Sequence, residues 1–535
     1  MSLGLPAMAY QDGIRKFQTV AFKGLNHTIG AKDGELWDMQ NLTADLYPVL
    51  STRKPRYLVR KLLKPNGFYC HDGLYWVDGA GFYENGALKG AVSDDRKTFV
   101  SLGAYIVILP DKKYYNRLTG EFGDMESSVT ASCTIQDGTY AGEEAAANTI
   151  YSENVNWSDY FKVGDAVEIS GAQTHVGNNI TIVIRELEGG ELRFYENSFT
   201  VSEGGDAEEL TIARKVPDMD FVCENENRLW GCKGDTIYAS KLGDIFNWNV
   251  FDGISTDSYA VNVGSVGDFT ACSSYLGYPC FFKEMQIYKV YGDKPSNYQV
   301  MSSASLGVEA CSHRSCAIAG EIMFYLSRTG VVAYSGGVPQ SIATPFGTDR
   351  YKNAVGGSDG AKYYISMQGT DGVWTIFAYD TRTNMWHKED HKQIINFGWN
   401  EEMYFLDSDG RLWLNGNTRT VPEDATQEAA FTSVAEFADF VEAVSNSAQY
   451  GANKKGTSKL QVRIELDAGS EVTIDMQFDS DVEWRKVSTL NTTEKKSFYL
   501  PIIPRRSDHF RIRFTGTGQW RLHSLVRENY SGSEL

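Results

Sequence analysis

No stretch of this 535-residue chain reaches about 18 consecutive apolar residues, so the sequence predicts no membrane-spanning helix. Residues 1–20 contain no apolar run of the kind found in secretory signals, and we expect a chain made in the cytosol. No glycine-rich phosphate loop is present. The formal net charge of −18 disfavours non-specific electrostatic binding of nucleic acid by the chain as a whole. Only a local basic patch could bind it.

Amphipathic-helix spacing is also absent from residues 227–337. Short runs of β-branched and aromatic residues occupy this stretch, and turns of small or charged residues separate them. The runs fall in pairs: 228–232 with 236–239, 280–282 with 286–290, and 323–326 with 331–334. The sequence therefore predicts antiparallel hairpins and an all-β chain.

The aromatic centres Phe281, Phe324, Tyr364 and Tyr404 follow one another at intervals of 43, 40 and 40 residues, about the length of a propeller blade of four short strands. The predicted centres are Tyr75, Tyr105, Trp230, Phe281, Phe324, Tyr364 and Tyr404. They predict a β-propeller of six to eight blades, with seven preferred. A β-sandwich with evenly spaced strands is the alternative, and it is disfavoured because sandwich strands need not repeat a signature.

Breaks in this period divide the chain into five predicted parts. The stretch at 125–213 breaks the period between blade strands, and 421–535 alternates apolar and polar residues with period two. The parts are an N-terminal arm at 1–60 with a loose tail at 1–13, the first propeller blades at 61–124, an inserted small β-barrel domain at 125–213, the remaining blades at 214–420, and a C-terminal antiparallel β-sandwich-like domain at 421–535.

The arm holds many apolar side chains on a segment with little predicted regular structure, because Pro48 and Pro55 exclude a helix there. Such a segment cannot offset its ordering entropy alone, so it must lie on its own propeller or on a neighbour's. Its arginines suit an acidic partner surface. We predict six assembly residues: Phe22, Leu42, Tyr47, Pro48, Arg53 and Arg56.

Three local patterns resemble metal sites and are set aside. Residues 387–391 place two histidines around two carboxylates without the spacing of a zinc-protease helix. Residues 311–316 lack a second matching ligand pair for zinc, and 407–410 lack the glutamate of a calcium loop. We therefore predict no metal, cofactor or catalytic site and eight reduced cysteines. Carboxylate pairs for glycoside hydrolysis stay open, since such pairs meet only in the fold.

Several stretches resemble a family of tailed-phage virion proteins. The stretches are 227–230, 238–244, 246–248 and 287–298, with 41–42, 47–51 and 53 near the N-terminus and 508–512 and 532–533 near the C-terminus. The family is the phage stabilisation or tail-hub proteins, β-propeller subunits that lie below the portal. The resemblance spans much of residues 40–420, and the inserted and terminal domains depart from it.

The resemblance implies a non-enzymatic structural protein of the phage tail, in the virion, made in the bacterial host cytoplasm. Its copies would form a ring, usually sixfold, that continues the DNA channel as a nozzle. Its partners would be the portal or head-tail adaptor, other tail proteins and passing DNA, without sequence-specific binding. Two alternatives remain: a receptor- or glycan-binding tail protein that uses the terminal sandwich, and a glycan-cleaving enzyme.

Overall fold

The computed structural model describes residues 15–28, 32–139, 145–195, 197–201, 207–441, 455–479 and 481–531. The predicted tail at 1–13 and the pair at 532–533 lie outside these residues. Over the described ranges the chain is all-β, with a few short 3-10 turns. None of the helices in these ranges has the length and apolarity required to cross a membrane.

Five strands come first along the chain. They are β1 Arg15–Thr19, β2 Leu36–Gln40, β3 Leu42–Thr43, β4 Leu50–Thr52 and β5 Tyr57–Lys61. Two four-stranded antiparallel sheets follow. Blade one is β6 Pro65–Cys70, β7 Leu74–Asp78, β8 Gly81–Glu84 and β9 Ala87–Ala91, and blade two is β10 Thr98–Leu102, β11 Tyr105–Leu109, β12 Lys113–Asn116 and β13 Phe122–Asp124.

The inserted domain is one seven-stranded sheet with its own apolar core. Its strands are β14 Ser127–Gly138, β15 Ala146–Tyr151, β16 Ala166–Ser170, β17 Thr181–Val183, β18 Glu186–Glu188, β19 Glu191–Arg193 and β20 Glu208–Arg214. The sheet order is β17-β16-β20-β14-β15-β19-β18, so its two end strands follow each other directly in sequence. Only residues 184–185 join them, so the two end strands of the sheet meet at this point.

Four more antiparallel sheets of four strands come next. Blade three is β21 Phe221–Asn225, β22 Arg228–Lys233, β23 Thr236–Ala239 and β24 Tyr259–Asn262, and blade four is β25 Ala271–Tyr275, β26 Tyr278–Lys283, β27 Gln286–Tyr291 and β28 Gln299–Ala304. Blade five is β29 Ala317–Ala319, β30 Ile322–Ser327, β31 Gly330–Tyr334 and β32 Gln340–Ser341, and blade six is β33 Tyr351–Ser358, β34 Lys362–Gly369, β35 Trp374–Asp380 and β36 Met385–Lys388.

Blade seven combines strands from distant parts of the chain. It holds β37 Ile394–Asn400, β38 Glu402–Asp407 and β39 Arg411–Leu414, and β5 pairs with β39 as its fourth strand. A short fifth strand, β40 Thr426–Gln427, lies outside β5. A strand from the N-terminal part of the chain thus completes the last blade. This pairing covers the edge of β39, and propellers generally leave only short sheet edges exposed.

The seven sheets are the blades of a β-propeller, and the predicted fold class is confirmed. Every predicted aromatic centre lies on the second strand of a blade, from Tyr75 on β7 to Tyr404 on β38. Second strands such as β22 and β30 are buried on both faces, which explains their nearly continuous apolar runs. Outer strands such as β28 are largely exposed and carry polar residues.

The C-terminal region completes a two-sheet sandwich. Its strands are β41 Thr432–Phe437, β42 Lys455–Leu466, β43 Glu471–Phe478, β44 Arg485–Leu490, β45 Lys496–Leu500, β46 Arg506–Ser507, β47 Phe510–Thr517 and β48 Trp520–Ser531. One sheet has the order β3-β4-β48-β42-β45, with β1 on β48 and β46 on β42; the other is β2-β41-β47-β43-β44. Side chains of both sheets share one core.

The structure corrects the prediction of an irregular N-terminal arm. Strands β1 and β4 pair with β48, and β2 pairs with β41, so four N-terminal strands belong to the sandwich. Their partners lie hundreds of residues away, and a segment read alone shows only scattered apolar groups. Among the apolar positions that indicated an arm, Leu42 and Leu50 are buried on β3 and β4, and Phe22 is buried between β1 and β2.

The chain divides into two compact units. One contains residues 1–62, 314–335 and 340–535, with the sandwich and blades five to seven. The other contains residues 63–313 and 336–339, with blades one to four and the inserted domain. Each unit has its own apolar clusters.

Candidate functional site

The predicted assembly residues lie in the first unit, and burial separates them into two groups. Four are buried: Phe22, Leu42, Arg53 and Arg56. Two are exposed, in the loop between β3 and β4: Tyr47 and Pro48. Phe22 packs edge-on against Phe437 of the sandwich at a centroid distance of 5.9 Å. The buried four therefore pack within their own chain, which is one of the two possibilities that the sequence left open.

Arg53 and Arg56 form a buried ion network just before β5. Arg56 is 2% exposed and donates to Asp390 at 2.7 Å and to Glu389 at 2.5 Å. Arg53 donates to Glu428 at 2.7 Å. Burial alone would raise the pKa of Asp390, but the Arg56 guanidinium lowers it to about 2. The network fixes the chain as it enters blade seven.

The exposed group forms an apolar tip on this fixed stem. Leu46 is 48% exposed, Tyr47 is 45% exposed, and Pro48 beside them is exposed. At the base, Asp45 accepts a hydrogen bond from Lys362 of blade six at 2.5 Å. Burial raises the pKa of Asp45, yet Lys362 brings it below its ordinary value. We refer to residues 46–48 as the apolar tip.

The stretch at 387–391, which the sequence analysis rejected as a metal site, makes contacts within the fold. Glu389 and Asp390 bind Arg56, and His391 Nδ1 lies 3.0 Å from the Thr375 hydroxyl. His387 is buried, and burial followed by the charge of Lys362 lowers its pKa to about 4. The side chains of this stretch thus face different partners.

A group that the sequence analysis did not single out lies at the sandwich. The ligand atoms of Asp479, Asp508 and His509 lie within 4.8 Å of one another. Asp508 accepts from His509 Nδ1 at 2.7 Å, and the Asp508 amide donates to Asp479 at 2.8 Å. These contacts within the group account for its geometry, so we assign it no metal.

The second unit contains a cleft of about 510 Å³ between the inserted domain and blades two and three. We call it the insert cleft. Tyr105 and Tyr114 of blade two and Phe246 after blade three's β23 form one wall. Their rings meet edge to face, with centroids 5.0–5.7 Å apart. Tyr160 and Lys162 of the inserted domain also line it.

The floor of the insert cleft is a buried polar network. Arg214, at the end of β20, donates to Asp165 at 2.5 Å and to the Met125 carbonyl. Asn247 donates to the other oxygen of Asp165 at 2.9 Å. The Arg214 guanidinium also lies 5.0 Å from the centroid of the Phe246 ring. The inserted domain, its linker and blade three are thereby fixed relative to one another.

Two carboxylates of the lining are oriented by neighbouring donors. The Tyr114 hydroxyl donates to Glu121 at 2.5 Å, and burial together with this carboxylate raises the pKa of Tyr114 above its usual range. Asp244 accepts from the Phe246 amide at 2.7 Å and from Asn247 at 2.7 Å. Sequence reasoning missed the insert cleft because its residues come from separate stretches between 105 and 247, and no local pattern joins them.

Comparisons with known proteins identify no family. No protein-family model matches the chain, and no curated protein matches it. Among solved structures, BamB from Moraxella catarrhalis is 13% identical with a TM-score of 0.36, covering 70% of this chain and 99% of its own. Raptor from Chaetomium thermophilum is 11% identical with a TM-score of 0.30, over 69% of this chain and 30% of that one.

An exo-β-1,3-galactanase from Phanerochaete chrysosporium is 8% identical, with a TM-score of 0.22, and covers 57% of this chain and 94% of its own. PorZ of the Porphyromonas gingivalis type-IX secretion system is 11% identical with a TM-score of 0.25, over 88% of this chain and 71% of that one. At such identities and TM-scores these likenesses carry no argument about function. The chain is established as a β-propeller protein from its own strand pairing.

Proposed function

We propose that this protein is a structural subunit of a bacteriophage tail whose copies assemble into a ring below the portal. The sequence resemblance to tail-hub proteins suggests this class of function. The apolar tip is the single observation that carries the proposal. It presents three consecutive apolar residues to solvent in a loop whose base is held by the contact of Asp45 with Lys362.

Exposed apolar groups that lie together form a surface on which another molecule can dock. A second copy of the chain is the partner that the ring requires. Transferring the exposed parts of Leu46 and Tyr47 from water into a subunit contact would contribute roughly 1–3 kcal/mol. Because Asp45 fixes the base of the loop, little conformational entropy is lost when the tip docks.

The acidic character of the chain fits passage of DNA without binding. A formal net charge of −18 repels the phosphate backbone, so a ring of such subunits would let DNA slide through it. The portal or head-tail adaptor and other tail proteins would be the neighbours of the ring.

The test is a pair of matched leucine substitutions in the full chain. Leu46→Asp puts a charge in the apolar tip and should convert rings to single subunits in mass photometry. Leu118→Asp changes a leucine that is 86% exposed in the turn after β12 and should leave the rings intact. If Leu46→Asp assembles as well as the unchanged chain, the tip is not the subunit contact.

A further inference from the structure

We propose that the insert cleft binds a neutral oligosaccharide. Its volume of about 510 Å³ accommodates a small sugar chain, and clefts between domains are common ligand sites. The proposal concerns the second unit and does not depend on ring formation, which rests on the apolar tip of the first unit.

The charges of the cleft favour a neutral ligand. Three lining carboxylates each lie at ion-pair distance from a cation: Asp165 with Arg214 at 2.5 Å, Asp124 with Lys113 at 2.6 Å, and Glu126 with Lys112 at 2.9 Å. These pairs neutralise much of the local field, so neither a cation nor an anion gains a strong attraction. A phosphate or a nucleic acid would also meet the carboxylates of Glu121, Asp159 and Asp244.

The aromatic residues suit the apolar face of a sugar ring. Pyranose rings present C–H groups on their faces and hydroxyls around their edges. Tyr160 is 45% exposed on the inserted-domain side, and half-buried Tyr105 and Phe246 lie on the blade side. A tyrosine offers a flat apolar surface with a polar end, and it loses little conformational entropy when it binds.

Polar groups of both kinds surround these rings. Glu121 and Asp244 offer carboxylate oxygens as acceptors, whereas the ammonium groups of Lys162 and Lys241 are donors. Sugar hydroxyls both donate and accept, so they can use both kinds of group. An apolar ligand would bury these groups without compensation, at a cost in free energy.

The buried polar network of Arg214, Asp165 and Asn247 preorganises the insert cleft for a ligand. Arg214 joins the inserted domain to the linker carbonyl of Met125 through contacts within 3.3 Å, and Asn247 joins it to blade three. Because these contacts are already formed, the two walls need not be ordered when a ligand enters. Preorganisation of this kind raises affinity for a ligand of fitting shape.

The test titrates the full chain with maltotriose, cellotriose and laminaritriose in separate calorimetric experiments. We expect millimolar or tighter binding of at least one trisaccharide. Tyr160→Ala should weaken it about tenfold through loss of ring stacking. The matched control is Tyr195→Ala, a tyrosine of the inserted domain that is 46% exposed and does not line the cleft.

Tyr160→Phe separates stacking from hydrogen bonding, since it keeps the ring and should retain most of the affinity. Trilysine serves as a cationic probe. If no trisaccharide binds, if trilysine binds in their place, or if Tyr195→Ala weakens binding as much as Tyr160→Ala, the proposal is overturned. Loss of rings in the tip variant would leave this result unchanged, so the two proposals fail separately.

Discussion

At the scale of single residues, Arg56 holds two carboxylates out of water at the entry to blade seven. Removing one partner of a buried ion pair leaves the other charge uncompensated. Arg56→Leu should therefore lower the free energy of unfolding of the first unit by about 3–5 kcal/mol, measured by urea denaturation. Arg411→Leu, which breaks an exposed pair with Asp409, should have little effect. Equal effects of the two variants would show that the buried network does not stabilise the fold.

His387 should make stability depend on pH. Burial and the nearby Lys362 depress its folded-state pKa to about 4, although Asp380 and Asp45 oppose this shift. Between about pH 6.5 and 4 the unfolded chain binds a proton that the folded chain excludes. Stability present above pH 6.5 should thus fall by roughly 1–3 kcal/mol as the pH approaches 4.

His387→Gln removes the titrating group. The urea concentration at the unfolding midpoint should therefore change less with pH over this range. The variant is less stable at neutral pH if the buried amide packs poorly. The quantity compared is therefore the slope of the urea midpoint against pH and not its value at one pH. A slope equal to that of the unchanged chain would assign the pH dependence to other groups.

At the scale of elements, the docking of β5 on blade seven depends on a turn glycine. Gly410 has a φ of +82°, and a Cβ there would lie 2.2 Å from the Leu62 carbonyl oxygen. Gly410→Ala should therefore both strain the turn and displace the end of β5. We expect a loss of about 2–4 kcal/mol in thermal or urea unfolding, combining backbone strain with a steric clash.

Gly360→Ala is the matched control, because Gly360 has a φ of +90° with open space around its Cβ position. It measures the backbone strain alone, about 1 kcal/mol. If both substitutions cost the same, the contact between the turn and Leu62 adds nothing to the stability of blade seven.

Local hairpins could be predicted from the sequence, whereas pairing between distant strands could not. Hairpin centres such as Phe281 and Phe324 were predictable because each blade repeats a local pattern of aromatic strand and tight turn. The pairing of β1 with β48 was not predictable, because it joins residues such as Phe17 and Arg527 across almost the whole chain. The buried role of Arg56 was missed for the same reason, since its carboxylate partners lie more than 300 residues away.

At the scale of the whole molecule, the inserted domain should be separable from blades one to four. Its first and last residues, Ser127 and Arg214, pair directly across one ladder, so a short linker can close the gap. Its core is a separate cluster. Replacing 127–214 with a short Gly/Ser linker should leave the blades folded, with their β-sheet circular dichroism and cooperative melting retained.

The deletion removes Arg214 and its contact to Phe246, so a small loss of thermal stability is expected. The same deletion abolishes the insert cleft and should abolish trisaccharide binding. An insoluble product would show that the inserted domain is part of the core of the second unit.

The proposed ring of identical subunits can be seen directly by electron microscopy of the purified full-length protein at micromolar concentration. We expect closed rings of one fixed symmetry, with the apolar tip at each subunit contact. Six copies are the number that the resemblance implies. Single subunits at every concentration, or open aggregates without rotational symmetry, would contradict the proposed ring.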